Sequence, residues 1–538
     1  MHSEPDHALQ SDEAASAAES DAAVSVGQSD AGVERGAQAV QKQPQPEPEV
    51  DRAERRRELA QRLMFETRRW SRFLLFSPQM RNYRRGVYVC ATLWAVFVIA
   101  NTIPYYTYMG AGREAYKKGQ YAAAEEMFNA AFREVKQFGA GENDPRFAAC
   151  LNNLGETYRV TGKYKLAQPI YLQLCDFARI HLGEKNEGYP MSLNNLATLY
   201  REEGKYELSE QTYKQAISIW ETKFKWKYHP NRATLFNGLA RLYRDEGRYP
   251  ESEQYYEKAL AIKKESSGPD SPEIATILGN IANLYREEGR LSEAEPLYER
   301  ALNIDSQVLG TEHPDTATDM NSLAGLYRDL GRYVEANKLY TQSLQIRESV
   351  LDKEHPLVSK CLIGLGELNR EQGKVDAAIP YLERAVYVSE KAFGRDHPDV
   401  ATAKNALASA YRMKGRLAEA EQMVDSVLAY RRTALSGTHP DLALTYFNSA
   451  ELQRAEGHLD KALADYKAAL AIQEKVLRAD HPALASTREG LALLYLQENK
   501  PALAEPLLQA VLESREKVLG EDHPYTRVAA ANLDRLHH

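Results

Sequence analysis

Seven histidines each stand directly before a proline, at His229, His313, His355, His397, His439, His481 and His523. The last six lie 42 residues apart, and the first is separated from them by two such periods. Periodic imidazoles invite a metal reading, but the ligands of one ion must converge on a shared first shell, and residues 42 apart occupy equivalent places on successive structural units. Proline in the first turn of a helix, followed by Asp315, Asp399 or Asp441, is instead a helix-start signal favoured by the helix dipole. The many carboxylates form a solvated face until something perturbs them. There is no glycine-rich phosphate loop, Gly-x-Ser-x-Gly elbow or His-Glu-x-x-His pair, and none of Cys90, Cys150, Cys175 and Cys361 has a paired spacing. No catalytic residue, metal site or cofactor is expected, and Cys150 and Cys175 read as buried free thiols.

The elements that carry these histidines repeat with the same period. Gly162, Gly204, Gly247, Gly289, Gly331, Gly373, Gly415 and Gly457, with Asn499 in the last full unit, mark helix ends where the left-handed conformation turns the chain back. Four residues earlier stand Tyr158, Tyr200, Tyr243, Tyr285, Tyr327, Asn369, Tyr411, Gln453 and Tyr495. Small residues such as Ala294 and Ala301 flank Tyr298 where two helices must approach closely. Each unit therefore reads as a helical hairpin that buries its apolar face against its neighbours, giving one long array and not separate cores. With Tyr116 as the matching residue of an irregular first unit there are ten hairpins, followed by a capping helix from Pro524 to about Leu536.

Leu196-Ala197, Tyr200, Gly204, Tyr206, Tyr213 and Ala216 resemble the tetratricopeptide repeat. Leu309-Gly310 and Leu519-Gly520 ahead of His-Pro, Leu-Asn-Asn-Leu-Ala and Glu-Ala-Glu-Pro-Leu-Tyr make the longer unit similar to kinesin-light-chain repeats. The resemblance covers residues 105 to 538. It implies an all-α, right-handed α-solenoid whose concave groove, lined by the first helices, binds peptides or proteins. No heptad-rich coiled coil precedes the repeats, which argues against a motor-cargo adaptor.

In that family the groove positions lie six residues before and one after the aligned tyrosine, on one helical face. The later position holds Arg159, Arg201, Arg244, Arg286, Arg328, Arg370, Arg412 and Arg454. The earlier one holds Asn152, Asn194, Asn237, Asn321 and Asn405, with Gly279, Ile363, Phe447 and Glu489 as departures. Stacking turns these into an Arg ladder beside an Asn ladder. Asn amides can bond an extended backbone through donor and acceptor, and Arg forks grip carboxylates, so the expected ligand is an extended acidic segment or a chain terminus. The competing reading pairs each Arg with an acid of its own turn or the next unit, among them Glu202, Asp245, Glu287, Asp329 and Glu371.

Ahead of the array the charge is uneven. Residues 1–50 carry ten acids against two bases and run into a Pro-rich end, which reads as a disordered tail. Residues 51–86 carry eleven Arg against four acids and intersperse Leu, Phe and Trp among them, as a basic amphipathic juxtamembrane segment would. The remainder carries a net charge of −7, which gives no support to nucleic-acid binding. From Val87 to Met109 a largely apolar run with flanking aromatics reads as one transmembrane helix, and the arginines before it keep the N-terminus cytoplasmic and place the array across the membrane. The expected function is a non-enzymatic, membrane-anchored interaction scaffold for protein or peptide partners. The alternatives are an accessory or substrate-recognition subunit of an envelope enzyme or transport system, taking a glycan or small molecule, and a reversed topology that leaves the array cytoplasmic.

Overall fold

The computed structural model describes residues 84–537 except 139–143, 225, 227, 436 and 522. The expected disordered tail (1–50) and nearly all of the basic segment (51–86) lie outside the described residues. Twenty-one helices follow one another with no strand among the described residues. The hairpins are α1 (Arg84–Lys117) with α2 (Tyr121–Phe138), α3 (Pro145–Val160) with α4 (Tyr164–Phe177), α5 (Gly188–Glu202) with α6 (Tyr206–Lys223), α7 (Pro230–Asp245) with α8 (Tyr249–Ser267), and α9 (Pro272–Glu288) with α10 (Leu291–Val308). Then come α11 (Pro314–Asp329) with α12 (Tyr333–Val350), α13 (Pro356–Glu371) with α14 (Val375–Phe393), α15 (Pro398–Lys414) with α16 (Leu417–Ala434), α17 (Pro440–Ala455) with α18 (Leu459–Val476), and α19 (Pro482–Gln497) with α20 (Pro501–Leu519). A last helix, α21 (Pro524–His537), closes the stack. The result is ten hairpins and a cap.

Each hairpin is closed by the backbone device expected of it. Gly289 has φ +80°, the amide of Arg290 reaches back 2.8 Å to the Tyr285 carbonyl, and Asn499 takes the same place with φ +58°. This is the six-to-one bond of a Schellman turn, which satisfies carbonyls the helix end would otherwise orphan. At the start of the first helices, all seven histidines place Nδ1 3.0–3.2 Å from the amide two residues on, so the imidazole caps the helix that proline opens. Within a hairpin, a buried tyrosine of the second helix lies on a small residue of the first: a Cβ at Gly238 would sit 2.6 Å from the Tyr213 ring.

Consecutive first helices touch one another, as α5 does α7 and α7 does α9, while no pair of consecutive second helices makes comparable contact. The first helices therefore lie on the inside of the curve. The curve closes on itself: the turn of one hairpin meets the junction between two hairpins about 229–237 residues later. Gly119 packs on His355 and Pro356, Gly162 on His397 and Pro398, Tyr206 on His439, Gly247 on Val476 and Leu477, and Gly289 on Val518. One superhelical turn thus rests on the next along a seam.

Helix α1 runs unbroken from Arg84 through Pro104 to Lys117. Among the described residues no helix is long and apolar enough to cross a membrane. The side chains of the apolar run before Thr102 lie, Thr92 apart, outside the described residues. The aromatic cluster expected at the membrane interface is corrected in part. Tyr105 and Met109 are buried in the core of the first hairpin, because the apolar face of α1 there is needed against α2, and Tyr106 alone of the buried-or-exposed pair Tyr105–Tyr106 faces outward. The first tetratricopeptide helix and the tail of the expected span are therefore the same residues.

Candidate peptide-binding groove

Near the end of each first helix the arginine ladder is present, and its rungs are not equivalent. Arg159 pairs with Glu156 in its own helix at 2.5 Å and with Glu202 in the next unit. Arg201 reaches Asp245 at 2.5 Å, Arg244 reaches Glu287 at 3.5 Å, Arg286 reaches Asp329 at 2.5 Å, and Arg328 contacts Asp329, Glu367 and Glu371. In each case the acid that follows the next rung's arginine answers the previous rung. Beyond Glu371 the corresponding residues are Met413, Ala455 and Gln497. Arg370 is left with its neighbour Glu371 at 3.8 Å, while Arg412 and Arg454 share Glu451 at 3.4 and 3.0 Å. Exposure follows: the side chains of Arg159, Arg201, Arg244 and Arg328 are 4–14% exposed, and those of Arg370, Arg412 and Arg454 are 24–26%. Arg286, at 28%, is the one accessible rung of the first group.

Electrostatics divides at the same place. Burial pushes the Glu156 carboxyl up, but the Arg159 charge and hydrogen bonds from Arg159, Tyr171 and Tyr116 hold it below the usual carboxylate range. Asp329 is likewise held low, burial being outweighed by Arg286 and Arg328. At Glu371, where the acid ladder ends, burial wins over Arg328 and Arg370 and the carboxyl is raised.

The asparagine ladder runs alongside. Asn195 donates to Asn152 Oδ1 at 2.8 Å, Asn280 to Asn237 Oδ1 at 3.0 Å, and Asn532 to Glu489 at 3.1 Å, so at these three positions a residue of the following element serves the groove residue. Asn194 lies 3.4 Å from Asn195 Oδ1, and Asn405 donates to Thr445 at 3.2 Å. The buried Oδ1 atoms of Asn321 and Asn405 have no hydrogen-bond donor. The structure thus brings the Asn and Arg residues together along the first helices, with much of their hydrogen-bonding capacity turned on one another.

Two polar patterns were not anticipated from the sequence. Tyr243, Tyr285, Tyr327 and Tyr411 each carry an arginine five residues on (Arg248, Arg290, Arg332, Arg416) stacked 3.8–4.1 Å over the ring, while the hydroxyl bonds a glutamate of the preceding unit, such as Glu210 at 2.7 Å from Tyr243. In the second helices Arg347, Arg431 and Arg515, spaced by two repeats, are buried and donate to the carbonyls of Leu357, Asp441 and Tyr525 at 2.6–3.0 Å. Their 84-residue spacing is visible in the sequence, and it is masked only by Ser389 and Gln473 in the units between.

Cys150, Cys175 and Cys361 are buried free thiols, and burial pushes the first two up to about 12 and about 11. Among the described residues no group of His, Cys, Asp and Glu is placed to hold a metal ion.

Known proteins place this geometry in a family. A tetratricopeptide repeat family model matches in eight overlapping windows from residues 147–222 to 441–517, and a second tetratricopeptide repeat model matches 109–179. Among solved structures, a protein described as a kinesin light chain of nearly identical TPR-like repeats from Podosopora anserina is 28% identical, over 38% of this chain and 98% of its own, with a TM-score of 0.31. BtubC (BKLC) from P. vanneervenii is 23% identical over 43% of this chain and 91% of its own, with a TM-score of 0.34. The apo form of RapI is 16% identical over 53% and 98%, with a TM-score of 0.40. No curated protein sequence matches the chain. With windows that run through most of its length, the chain belongs to the tetratricopeptide repeat family, whose arrays are protein-interaction scaffolds.

Proposed function

We propose that this scaffold captures an extended acidic segment of a partner protein on the first helices of its C-terminal units. Arg370, Arg412 and Arg454 grip the carboxylates there, with Asn405 beside them. The observation that carries the reading is the break in the acid ladder at Met413, Ala455 and Gln497: three arginines in register stand without the acid that answers the rungs before them. An arginine whose fork is only partly engaged retains donors for a two-point contact with a ligand carboxylate.

Binding of a 12-residue Glu-rich fluorescent peptide to the full chain, followed by anisotropy at 50 and 300 mM salt, tests this. The expected result is salt-sensitive binding that falls at least tenfold in R370A/R412A/R454A, with far-UV circular dichroism unchanged. Equal binding of a Lys-rich peptide, or equal affinity in the triple variant, removes the reading. Replacing Arg244, Arg286 and Arg328 with Ala tests the same ladder where the acids are present, and a smaller effect is expected there.

We further propose that the apolar run within 87–109 holds the array beside a membrane, with the N-terminus cytoplasmic and the array across it. Support comes from the arginine-rich flank and the absence of charge between Arg85 and Arg113. Protease protection of the array in sealed cells, lost on lysis, is the expected result for an array facing the cytoplasm. Cleavage of the array from outside intact cells or spheroplasts is expected for the orientation proposed here.

A further inference from the structure

Six of the seven histidines divide into two groups once the superhelix closes, and the seventh, His523, opens the capping helix. His229 and His313 belong to the first superhelical turn, beneath which no earlier turn lies among the described residues, and each has a carboxylate beside it, Glu187 at 2.9 Å and Asp315 at 3.7 Å. His355, His397, His439 and His481 start the hairpins that rest on an earlier turn. His355 is 3% and His397 5% exposed, and the other two are half-buried. In all four, Nδ1 accepts a backbone amide, so the neutral ring carries its proton on Nε2. At His397 that nitrogen lies 2.6 Å from the Val160 carbonyl at the end of α3, 237 residues away. The same bond recurs at the last junction, His523 to the Asp329 carbonyl at 2.9 Å, and His355 faces the backbone of Lys117. One imidazole therefore caps the helix it begins and ties that helix to the exposed carbonyls of another.

We propose that this seam is an acid-released clamp: protonation of the four junction histidines separates successive superhelical turns while each hairpin keeps its fold. A doubly protonated ring cannot accept the capping amide, and its charge is set against the positive end of the helix dipole. The seam offers it little water. Burial lowers the ionisation of all four, to about 4 at His355 and His481.

Charges of both signs surround the four rings. Arg347 and Asp352 face His355, and Asp399 and Lys360 face His397. Asp441, Asp245, Arg431 and Arg201 face His439, and Asp480 faces His481. The aspartates favour protonation, as do the backbone of Lys117 at His355 and the Val160 carbonyl at His397, and burial outweighs them at every one. Because the closed-state values lie below the ordinary 6.5, the open form binds more protons between about 6.5 and 4. Closure is therefore favoured above this window and weakened as pH falls through it. Besides the glycine and Tyr206 contacts above, the seam holds Phe393 stacked between Tyr121 and His397, and an ion pair of Arg478 with Glu288 at 2.9 Å.

Small-angle scattering of the full chain, with far-UV circular dichroism on the same samples from pH 7.5 to 4.5, tests the clamp. The expected result is a reversible rise of at least 15% in radius of gyration with helix content unchanged. H355N/H397N/H439N/H481N retains a capping oxygen and cannot titrate, so whatever its radius at pH 7.5, that radius should not change down to pH 4.5. H229N/H313N should open as the native chain does. A radius unchanged to pH 4.5, or expansion at the same pH in the quadruple variant, overturns the proposal. So does expansion at pH 7.5 in 1 M salt alone, which would assign the seam to its ion pair. Should the quadruple variant not fold, the native titration decides alone, since expansion that tracks helix loss is unfolding and also overturns it.

Discussion

The arginines up to Arg328 and those from Arg370 on occupy the same position of the same repeat, yet they meet different surroundings. Arg159 and Arg201 are buried between carboxylates of two units, and they serve as a lattice that ties neighbouring first helices. Arg370, Arg412 and Arg454 have lost the acid of the next unit to Met413, Ala455 and Gln497, and they are more accessible. The comparison teaches that a periodic residue carries no fixed role. Its partner one period later decides whether it holds the array together or faces a ligand.

The widest expected gap between the two regions is in stability. Arg201→Ala removes one of the two arginines that each of Asp245 and Glu202 contacts and should cost about 1.5–3 kcal/mol, whereas Arg412→Ala should cost about 0–1 kcal/mol. Denaturant unfolding with amide exchange on α5–α7 and α15–α17 measures both, and similar losses would erase the distinction.

Opposite signs are expected for two carboxylates. Glu156 titrates below its ordinary value in the fold, so its contribution is complete above about pH 4.5 and is lost as the pH falls through the folded value. Glu156→Gln should therefore destabilise at pH 7, by about 2 kcal/mol. Glu371 is raised, so folding opposes its charge at pH 7, and Glu371→Gln should stabilise there by up to about 1 kcal/mol. Two losses of equal size would show that the acid ladder does not end where the sequence says it does.

Met413→Glu restores the missing acid beside Arg370. It should add about 0.5 kcal/mol of stability and weaken the Glu-rich peptide several-fold in the anisotropy assay. An unchanged affinity would leave Arg370 outside the ligand site. The smallest effect is a control on the backbone alone: Asn499→Gly relieves a left-handed non-glycine residue and should raise stability by a few tenths of a kcal/mol, with peptide affinity unaltered.

Much of this was legible in the sequence because it is local. The positions of Gly289 and Tyr285, and of proline after histidine, specify a turn, a hairpin and a helix start within one repeat, and the structure places them so, adding the imidazole cap that the sequence reading did not include. The ladders were legible as rows of Arg and Asn. Their division was not, because it depends on comparing each rung with the residue 43 positions on, and the eye follows Arg370 and Arg412 without noticing Met413 and Ala455. The seam was beyond reach for a different reason. Whether His397 meets Val160 depends on the small rotation between units summed over more than five of them, a quantity that no single repeat encodes. The buried Tyr105 and Met109 show the opposite case, in which one apolar run satisfied two local readings and only packing against α2 distinguished them.

A solenoid with free coils stretches like a soft spring, its units sharing the extension at low force. Here the coils are clasped by bonds such as that from His397 to the Val160 carbonyl. Pulled from its two ends, this chain should stay nearly inextensible until the clasps part, and then lengthen abruptly. A load on the array would register as a threshold and not as a gradual yield.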